Sequence, residues 1–201
     1  MYPRLPLAFY QHHDVVQIAR DLLGKFLMTD IDDEGVTGGM IVETEAYAGT
    51  IDKASHAFGN RKTERTRVMY EAGGIAYVYL IYGFHHLFNV VTNVAEVPHA
   101  VLIRAIEPVV GVDIMMDRRN MTSPEKKLTS GPGVLCKALG INKVQNRVGL
   151  IDNVIWIEER GILIKNKDIV AGPRVNVSYA GEDALLPYRF SIRNNKWVSK
   201  G

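Results

Sequence analysis

Apolar and polar residues alternate most regularly between Ile41 and Tyr47. Side chains of a strand point alternately to two faces, so this period predicts a strand whose core face carries Val42, Thr44 and Ala46. The opposite face would carry Ile41, Glu43, Glu45 and Tyr47. Two carboxylates beside an aromatic ring are candidates for a general base, although a solvated glutamate is the ordinary case on a strand.

Turn and cap residues predict further elements before this strand. Asp14 is a suitable N-cap for a helix that continues to Leu23 and ends at Gly24. Lys25–Asp30 and Gly39–Tyr47 are strand-like and should pair as a hairpin around an acidic turn.

The later segments continue this mixture of helices and strands. The predicted elements are, in order, a short helix over Thr63–Tyr70, a strand over Ile75–Tyr82, a hairpin of Phe88–Asn93 and Ala100–Ile106, a helix from Glu107 to Arg119, a helix from Ser130 to Gly140, and short strands after Trp156. The helix at Glu107 is expected because Pro108 would lie in its first turn, where proline is favoured.

These elements predict an α+β fold. We expect a single domain over residues 1–201, with a curved, mostly antiparallel β-sheet surrounded by α-helices. The 201 residues are 47% hydrophobic, which is enough for a sizeable core, and the single cysteine, Cys136, should lie in a helix core. No apolar run approaches the roughly 18 residues of a membrane span, and the N-terminus does not resemble a signal peptide. We therefore expect a cytoplasmic protein with no membrane partner.

The distribution of charge is more informative than the net charge of +2. Arg61, Lys62, Arg65 and Arg67 form a local basic patch, as a phosphate backbone requires. A solvated helix face has the same composition, and charge patterning alone favours that interpretation.

Three polar side chains interrupt otherwise apolar strand segments: Glu45, Asn89 and Arg104. An unpaired buried polar group costs about 1–3 kcal/mol, and a charge costs more. These side chains should therefore meet one another, water or a ligand. A purely structural Arg–Glu pair, with the asparagine bonded to backbone, is the alternative.

Aromatic residues surround these positions in the sequence: Tyr47, His56, Tyr77, Tyr79 and Tyr82. Rings beside a carboxylate suit a flat ligand that is stacked and then attacked by water, and a nucleobase fits this description. A tyrosine-rich sheet core explains the rings equally well. Tyr82 precedes Gly83, where the chain can turn, and is therefore free to project from the protein.

Metal and cofactor signatures are weak. The pairs His12-His13 and His85-His86 point to opposite faces on a strand and lack a completing ligand spacing, so we expect no metal. The sequence also has neither a P-loop nor a dinucleotide-binding fingerprint, so no nucleotide cofactor is expected. Met115 and Met116 are expected in the core. Gly131-Pro132-Gly133 most simply opens a helix, although its free N–H groups could bind a phosphate.

Several segments, in order along the chain, together resemble the alkyladenine (3-methyladenine, or methylpurine) DNA glycosylase family. They are Val42–Tyr47, Ala54–His56, Tyr77–Gly83, Asn89-Val90, Leu102–Pro108, Leu128–Leu139 and Ala180–Glu182. The likeness implies a compact mixed α/β fold with a curved antiparallel sheet. It also implies a cofactor-free enzyme that removes damaged purines from DNA.

The same likeness implies a role for each site residue. Glu45 would be the general base that activates water, and Arg104 would help to hold that water and the carboxylate. Tyr47 would form one wall around a flipped purine, with His56 and Tyr79 on the other side. Asn89 would crowd the exocyclic amino group of guanine, Tyr82 would wedge into the duplex, and a backbone carbonyl near Val177 would lie at the water site.

The reaction implied is that of a monofunctional base-excision repair enzyme acting on 3-methyladenine, 7-methylguanine, hypoxanthine or ethenoadenine. No lysine lies in the Glu45 segment or in the adjoining aromatic strand, so we expect an abasic product without a Schiff-base step. The partner would be double-stranded DNA bound by a monomer, near the nucleoid if the protein is bacterial. The chain departs from the family pattern at Asp183, where tryptophan is frequent.

Two other functions remain open on the sequence. One is a non-catalytic nucleic-acid-binding module in which Glu45 and Arg104 form a core pair. The other is a hydrolase of free nucleosides, which would gain nothing from a projecting Tyr82 or from a basic patch.

Overall fold

The structure, a computed structural model, describes residues 2–200. Within this range, eight strands form one antiparallel sheet that curls into a half-barrel, so the predicted α+β fold is confirmed. The strands are β1 Phe26–Asp30, β2 Val36–Tyr47, β3 Ala76–Ile81, β4 His85–Thr92, β5 His99–Val110, β6 Ile155–Glu158, β7 Ile169–Gly172 and β8 Arg189–Ile192. Their order is β3-β4-β5-β2-β1-β6, with β8 added to β2 and β7 to β8. The single domain over 1–201 remains a prediction, and its first and last residues lie outside the described range.

Short helices cover the sheet and close its core. The α-helices are α1 Leu7–Tyr10, α2 Val15–Asp21, α3 Val112–Arg119 and α4 Pro132–Ala138. The 3-10 helices are Gly49–Ile51, Phe58–Asn60, Arg67–Tyr70, Lys126–Leu128, Lys143–Gln145, Asn166–Asp168 and Ser178–Leu185. Helix α2 packs on β2, and α4 packs on β4 and β5. No helix in the described part of the chain is both long and apolar enough to cross a membrane.

Several local predictions are confirmed. The Asp14 carboxylate accepts hydrogen bonds from the N–H groups of Val16 and Gln17, as an N-cap does. Strands β1 and β2 pair as the predicted hairpin, although β2 begins three residues earlier than predicted. Cys136 and Met115 are buried in the main core.

The helix predicted to open at Glu107-Pro108 is wrong. Strand β5 continues through both residues to Val110, and α3 begins only after Gly111. Pro108 pairs with Gly39 beside a register shift, and such an irregularity is a place where a strand tolerates a proline without an N–H. A Cβ on Gly39 would lie 2.1 Å from the carbonyl oxygen of Glu107, so the glycine allows the two strands to approach closely.

The helix predicted over Thr63–Tyr70 is also wrong in its first half, because helical geometry is limited to a 3-10 turn over Arg67–Tyr70. The Thr66 hydroxyl donates to the carbonyl oxygen of Arg61 at 2.8 Å and accepts from the N–H of Thr63 at 2.8 Å. Such side-chain bonds satisfy backbone groups outside a helix and compete with it.

Candidate active site

Two neighbouring irregularities in the pairing of β2 with β5 shape the site. Ile41 pairs with Ile106 and Glu43 with Ala105, which leaves Val42 as an extra residue on β2. Thr44 then pairs with Ile103, which leaves Arg104 as the extra residue on β5. Such bulges re-aim side chains. Ile41, predicted on the carboxylate face, joins Val42 in the hydrophobic core instead, so the regular alternation predicted from Ile41 is wrong at its start.

Glu45 is fully buried and lies at the centre of the site. Its Oε2 accepts a hydrogen bond from the Tyr47 hydroxyl at 2.8 Å. Its Oε1 accepts from the N–H of Val175 at 2.8 Å and lies 3.3 Å from Nη1 of Arg104. A carboxylate offers about four acceptor positions, so these three contacts leave about one, on Oε2, for a further donor.

Glu43 is equally buried and accepts four hydrogen bonds. It accepts from Nε of Arg104 at 2.9 Å, Nε of Arg189 at 2.7 Å, the Ser199 hydroxyl at 3.0 Å and the Ser199 N–H at 2.7 Å. Three of these donors converge on Oε1 and one reaches Oε2. The two glutamates of the predicted face differ in their access to ligand, because only Glu45 lines the cavity described next.

Arg104 links the two carboxylates. Burial opposes its charge, but attraction to Glu45 and Glu43 raises its pKa above the usual value, so it is a permanent cation beside Glu45. The predicted meeting of Glu45 and Arg104 is therefore observed.

A cavity of about 1050 Å³ opens above Glu45. Eight residues of strands β2, β3, β4 and β5 line it, and residues of loops and helices complete it. The lining includes Glu45, Tyr47, Tyr79, Leu102 and Arg104 from the sheet, together with Lys53, His56, Arg61, Arg65, Tyr82, Val175, Val177 and Tyr179. A volume of this size accommodates a small-molecule-sized group.

Tyr47 forms one aromatic wall of the cavity, and Arg174 packs against its ring. The Arg174 guanidinium lies over its ring, 4.8 Å from the centroid, and pairs with buried Asp52 at 2.8 Å. Burial and the Glu45 carboxylate hold the pKa of Tyr47 well above its usual value, so its hydroxyl stays a donor to Glu45. Arg174 and Asp52 thus fix both the ring and the Val175 N–H that follows Arg174.

His56 and Tyr79 form a second aromatic surface. Their ring centroids are 4.8 Å apart at 71°, and Nδ1 of His56 lies 2.9 Å from the Tyr77 hydroxyl. Burial, Arg65 and Arg61 lower the pKa of His56 to about 4, so the ring is neutral near pH 7. The predicted grouping of His56 with Tyr79 is present in the structure.

Tyr82 lies at the tip of the β3–β4 hairpin and is 71% exposed. Tyr82 and Gly83 both adopt the left-handed conformation, with φ of 53° and 78°. The predicted projection of Tyr82 is therefore observed.

The predicted basic patch is divided in two. Lys62 pairs with Glu96 at 2.8 Å, and Arg67 pairs with Glu64. Arg61 and Arg65 line the cavity instead, together with Lys53. The rim of the cavity therefore carries positive charge suited to an anion.

Asn89 is the predicted site residue that does not line the cavity. The sheet register places Tyr77, Asn89, Leu102 and Glu45 in one row across four strands, so their side chains share a face. The Asn89 amide donates to the Tyr77 carbonyl oxygen at 3.1 Å, which is the structural alternative considered for it. Its role towards guanine stays a prediction.

The contributors to the site that the sequence did not reveal include Asp52, Lys53, Arg174, Tyr179 and the N–H of Val175. A backbone N–H has no sequence signature, and Arg174 stands beside Pro173 with nothing in the sequence that marks a buried partner. Lys53 follows the examined Glu45 segment by only a few residues, and a search for cations up to His56 would have found it.

An aromatic cavity with a cationic rim and a carboxylate that can accept from water is suited to hydrolysis at a flat ring attached to a polyanion. The fold and the site thus indicate that the protein belongs to the class of hydrolases. The chain matches the family model described as methylpurine-DNA glycosylase (MPG) over residues 8–196. The chain belongs to this family.

Individual relatives agree over nearly their full length. The chain is 46% identical over 193 residues to the "Putative 3-methyladenine DNA glycosylase" of Chlamydia felis (strain Fe/C-56), covering 96% of this chain and 97% of that protein. It is 45% identical over 204 residues to the protein of the same name from Bacillus mycoides (strain KBAB4), covering 97% and 98%. The protein is accordingly a DNA glycosylase acting on alkylated purines, a hydrolase of N-glycosyl bonds.

Proposed function

We propose that this enzyme takes 3-methyladenine and related purines, including 7-methylguanine, hypoxanthine and ethenoadenine, out of duplex DNA and hydrolyses the bond to the sugar with water activated by Glu45. The observation that carries the proposal is the contact set of Glu45. Its three donors leave about one acceptor position on Oε2, and Glu45 lines the cavity.

In the proposed step, the glycosidic C1′–N bond breaks and its electron pair leaves with the base. The water oxygen bonds to C1′, and the water proton passes to Oε2 of Glu45. Arg104, whose Nη1 lies 3.3 Å from Oε1, balances the charge of the carboxylate before the transfer. A 3- or 7-alkylated purine carries positive charge and leaves as a neutral base, so it needs little further activation.

The cavity supplies the binding half of the proposal. The purine would stack between Tyr47 and the pair of His56 and Tyr79, and Tyr82 would fill the space left in the duplex. Stacking is worth about 1–3 kcal/mol per base, which offsets the few kcal/mol needed to unstack it. Asn89, in the same row as Glu45, would disfavour the amino group of guanine.

The test is release of free base from duplex oligonucleotides that carry one hypoxanthine, ethenoadenine or 7-methylguanine. Glu45→Gln keeps the shape of the side chain but removes the base, so single-turnover release should fall about 10²–10⁴-fold while DNA binding persists. Glu158→Gln is the matched control, because Glu158 is also buried and paired with an arginine at 2.7 Å but does not line the cavity. Full activity of Glu45→Gln would refute the assignment of the base.

Monofunctional action is tested by borohydride trapping. We propose that no Schiff base forms, because the reacting group is water rather than an amine. Lys53, at the cavity rim, is the residue to examine. A protein–DNA adduct that is trapped in wild type and absent in Lys53→Ala would overturn this part of the proposal. The role of Glu45 is tested separately, by base release in Glu45→Gln.

A further inference from the structure

Glu43 has no part in the proposed hydrolysis, yet its carboxylate accepts four hydrogen bonds beside Glu45. It is 0% exposed and accepts from two arginines and twice from Ser199. Burying a charge is costly unless it is paired, so these donors are needed to keep the Glu43 carboxylate inside the protein.

Ser199 connects Glu43 with Arg104. Its hydroxyl donates to Oε1 of Glu43 at 3.0 Å and accepts from Nη2 of Arg104 at 3.2 Å. The segment is anchored two residues earlier, where Trp197 is 5% exposed in the main core and its N–H donates to the side chain of Asn195. Ser199 is thus held in place by packing.

These contacts determine which nitrogen of Arg104 reaches Glu45. Nε bonds to Glu43 and Nη2 to Ser199, so Nη1 is directed to Oε1 of Glu45 at 3.3 Å. A guanidinium released from Glu43 could turn a two-nitrogen edge towards Glu45 and form a bidentate pair. That pair would occupy the remaining acceptor position on Oε2.

We propose that Glu43 and Ser199 are positioning residues that keep Arg104 from closing on Glu45 and so preserve the acceptor position for water. The charges of this cluster balance, because Arg189 also bonds to Glu43 at 2.7 Å. The two carboxylates of Glu43 and Glu45 therefore face the two guanidinium groups of Arg104 and Arg189. The inference rests on the proposed role of Glu45.

The test compares single-turnover base release and DNA affinity in Glu43→Gln, with Glu158→Gln as the matched buried-pair control. We expect release to slow about 10- to 100-fold, as for a small misplacement of a reacting group, with DNA affinity within about twofold of wild type. Ser199→Ala removes the hydroxyl but keeps the N–H bond to Glu43, so it should slow release less. If Glu43→Gln does not fold, Ser199→Ala against Glu158→Gln carries the comparison.

A double mutant separates positioning from a general loss of structure. If Glu43 acts through Arg104, adding Glu43→Gln to Arg104→Gln should not slow release further. Additive losses, or wild-type rates in both Glu43→Gln and Ser199→Ala, would overturn the inference. Glu45→Gln in the same assay distinguishes the two proposals: if it retains full activity, the role of Glu45 fails first.

Discussion

At the scale of single residues, His56 shows how the site controls charge. The imidazole contacts Tyr77 and Tyr79 and lies 3.5 Å from a nitrogen of Arg65. Burial and the nearby arginines lower its pKa to about 4, so the ring adds no positive charge to a wall proposed to hold a base. A neutral ring can stack on a cationic alkylated purine without repulsion.

This pKa makes stability depend on pH through His56. The unfolded histidine, with a pKa near 6.5, takes up a proton before the folded one does, so its contribution is complete above about pH 6.5 and is lost as pH falls towards about 4. We expect the free energy of unfolding of wild type to decrease, relative to His56→Gln, between about pH 7 and about pH 5. Urea denaturation at both values measures this difference. Parallel pH dependences of the two proteins would contradict the assigned burial of His56.

At the scale of elements, the long strands β2 and β5 determine where the proposed catalytic groups Glu45 and Arg104 lie. Their consecutive irregularities leave Val42 and Arg104 outside the regular pairing and bring Arg104 to both glutamates. Nearer the start of β2, Gly39 allows β5 to remain paired with β2 beyond Pro108. The site thus depends on the close approach of two backbones.

Gly39→Ala should therefore destabilise the protein. A Cβ there would lie 2.1 Å from the carbonyl oxygen of Glu107, which is backbone and cannot move aside alone. Overpacking of this kind costs about 1–3 kcal/mol, measured as a loss of unfolding free energy in urea. Gly172→Ala is the control, because a Cβ on that strand glycine meets no atom within 4 Å. Equal stability of the two variants would mean that β2 and β5 separate freely.

The same element explains what sequence could and could not predict. The strand bearing Glu45 was predictable because its apolar and polar residues alternate, and Arg104 because a charge in an apolar run must find a partner. The continuation of β5 was not predictable, because the signal of Pro108 is local whereas the close approach at Gly39 is tertiary. The projection of Tyr82 was predictable, since Gly83 follows an apolar strand and allows the chain to turn there.

Loop contributions escaped prediction for a related reason. Arg174 and Val175 reach Glu45 and Tyr47 from more than 120 positions away, and no period in the sequence encodes that contact. Asn89, in contrast, was noticed in the sequence because a polar residue interrupts an apolar strand. In the structure its amide donates to the backbone carbonyl of Tyr77.

At the scale of the whole molecule, the net positive charge is small, but several cationic side chains are concentrated at the cavity. The net charge is only +2, yet Lys53, Arg61 and Arg65 all line the cavity. A small excess of cations at one mouth attracts a phosphate backbone to the place where chemistry is proposed. Long-range attraction by the remaining surface should be slight.

The salt dependence of DNA binding should report this concentration. Each neutralised phosphate contributes about 0.9 to the slope of log affinity against log salt, so Arg61→Gln should lower the slope by about that amount. Lys165→Gln, at an exposed lysine that does not line the cavity, is the control and should leave the slope unchanged. Titration of duplex DNA at several salt concentrations gives both slopes. An unchanged slope for Arg61→Gln would remove Arg61 from the DNA interface.

The tip of the β3–β4 hairpin has a consequence for protein engineering. Tyr82 is 71% exposed and has a φ of 53°, a conformation that costs an L-residue about 1–2 kcal/mol and that glycine adopts freely. A screen that rewards heat resistance alone would therefore favour replacing Tyr82 with glycine, which adopts this conformation without strain. Thermostable forms of this enzyme should therefore also be selected on damaged DNA, because such a replacement would remove the ring that is proposed to wedge into the duplex.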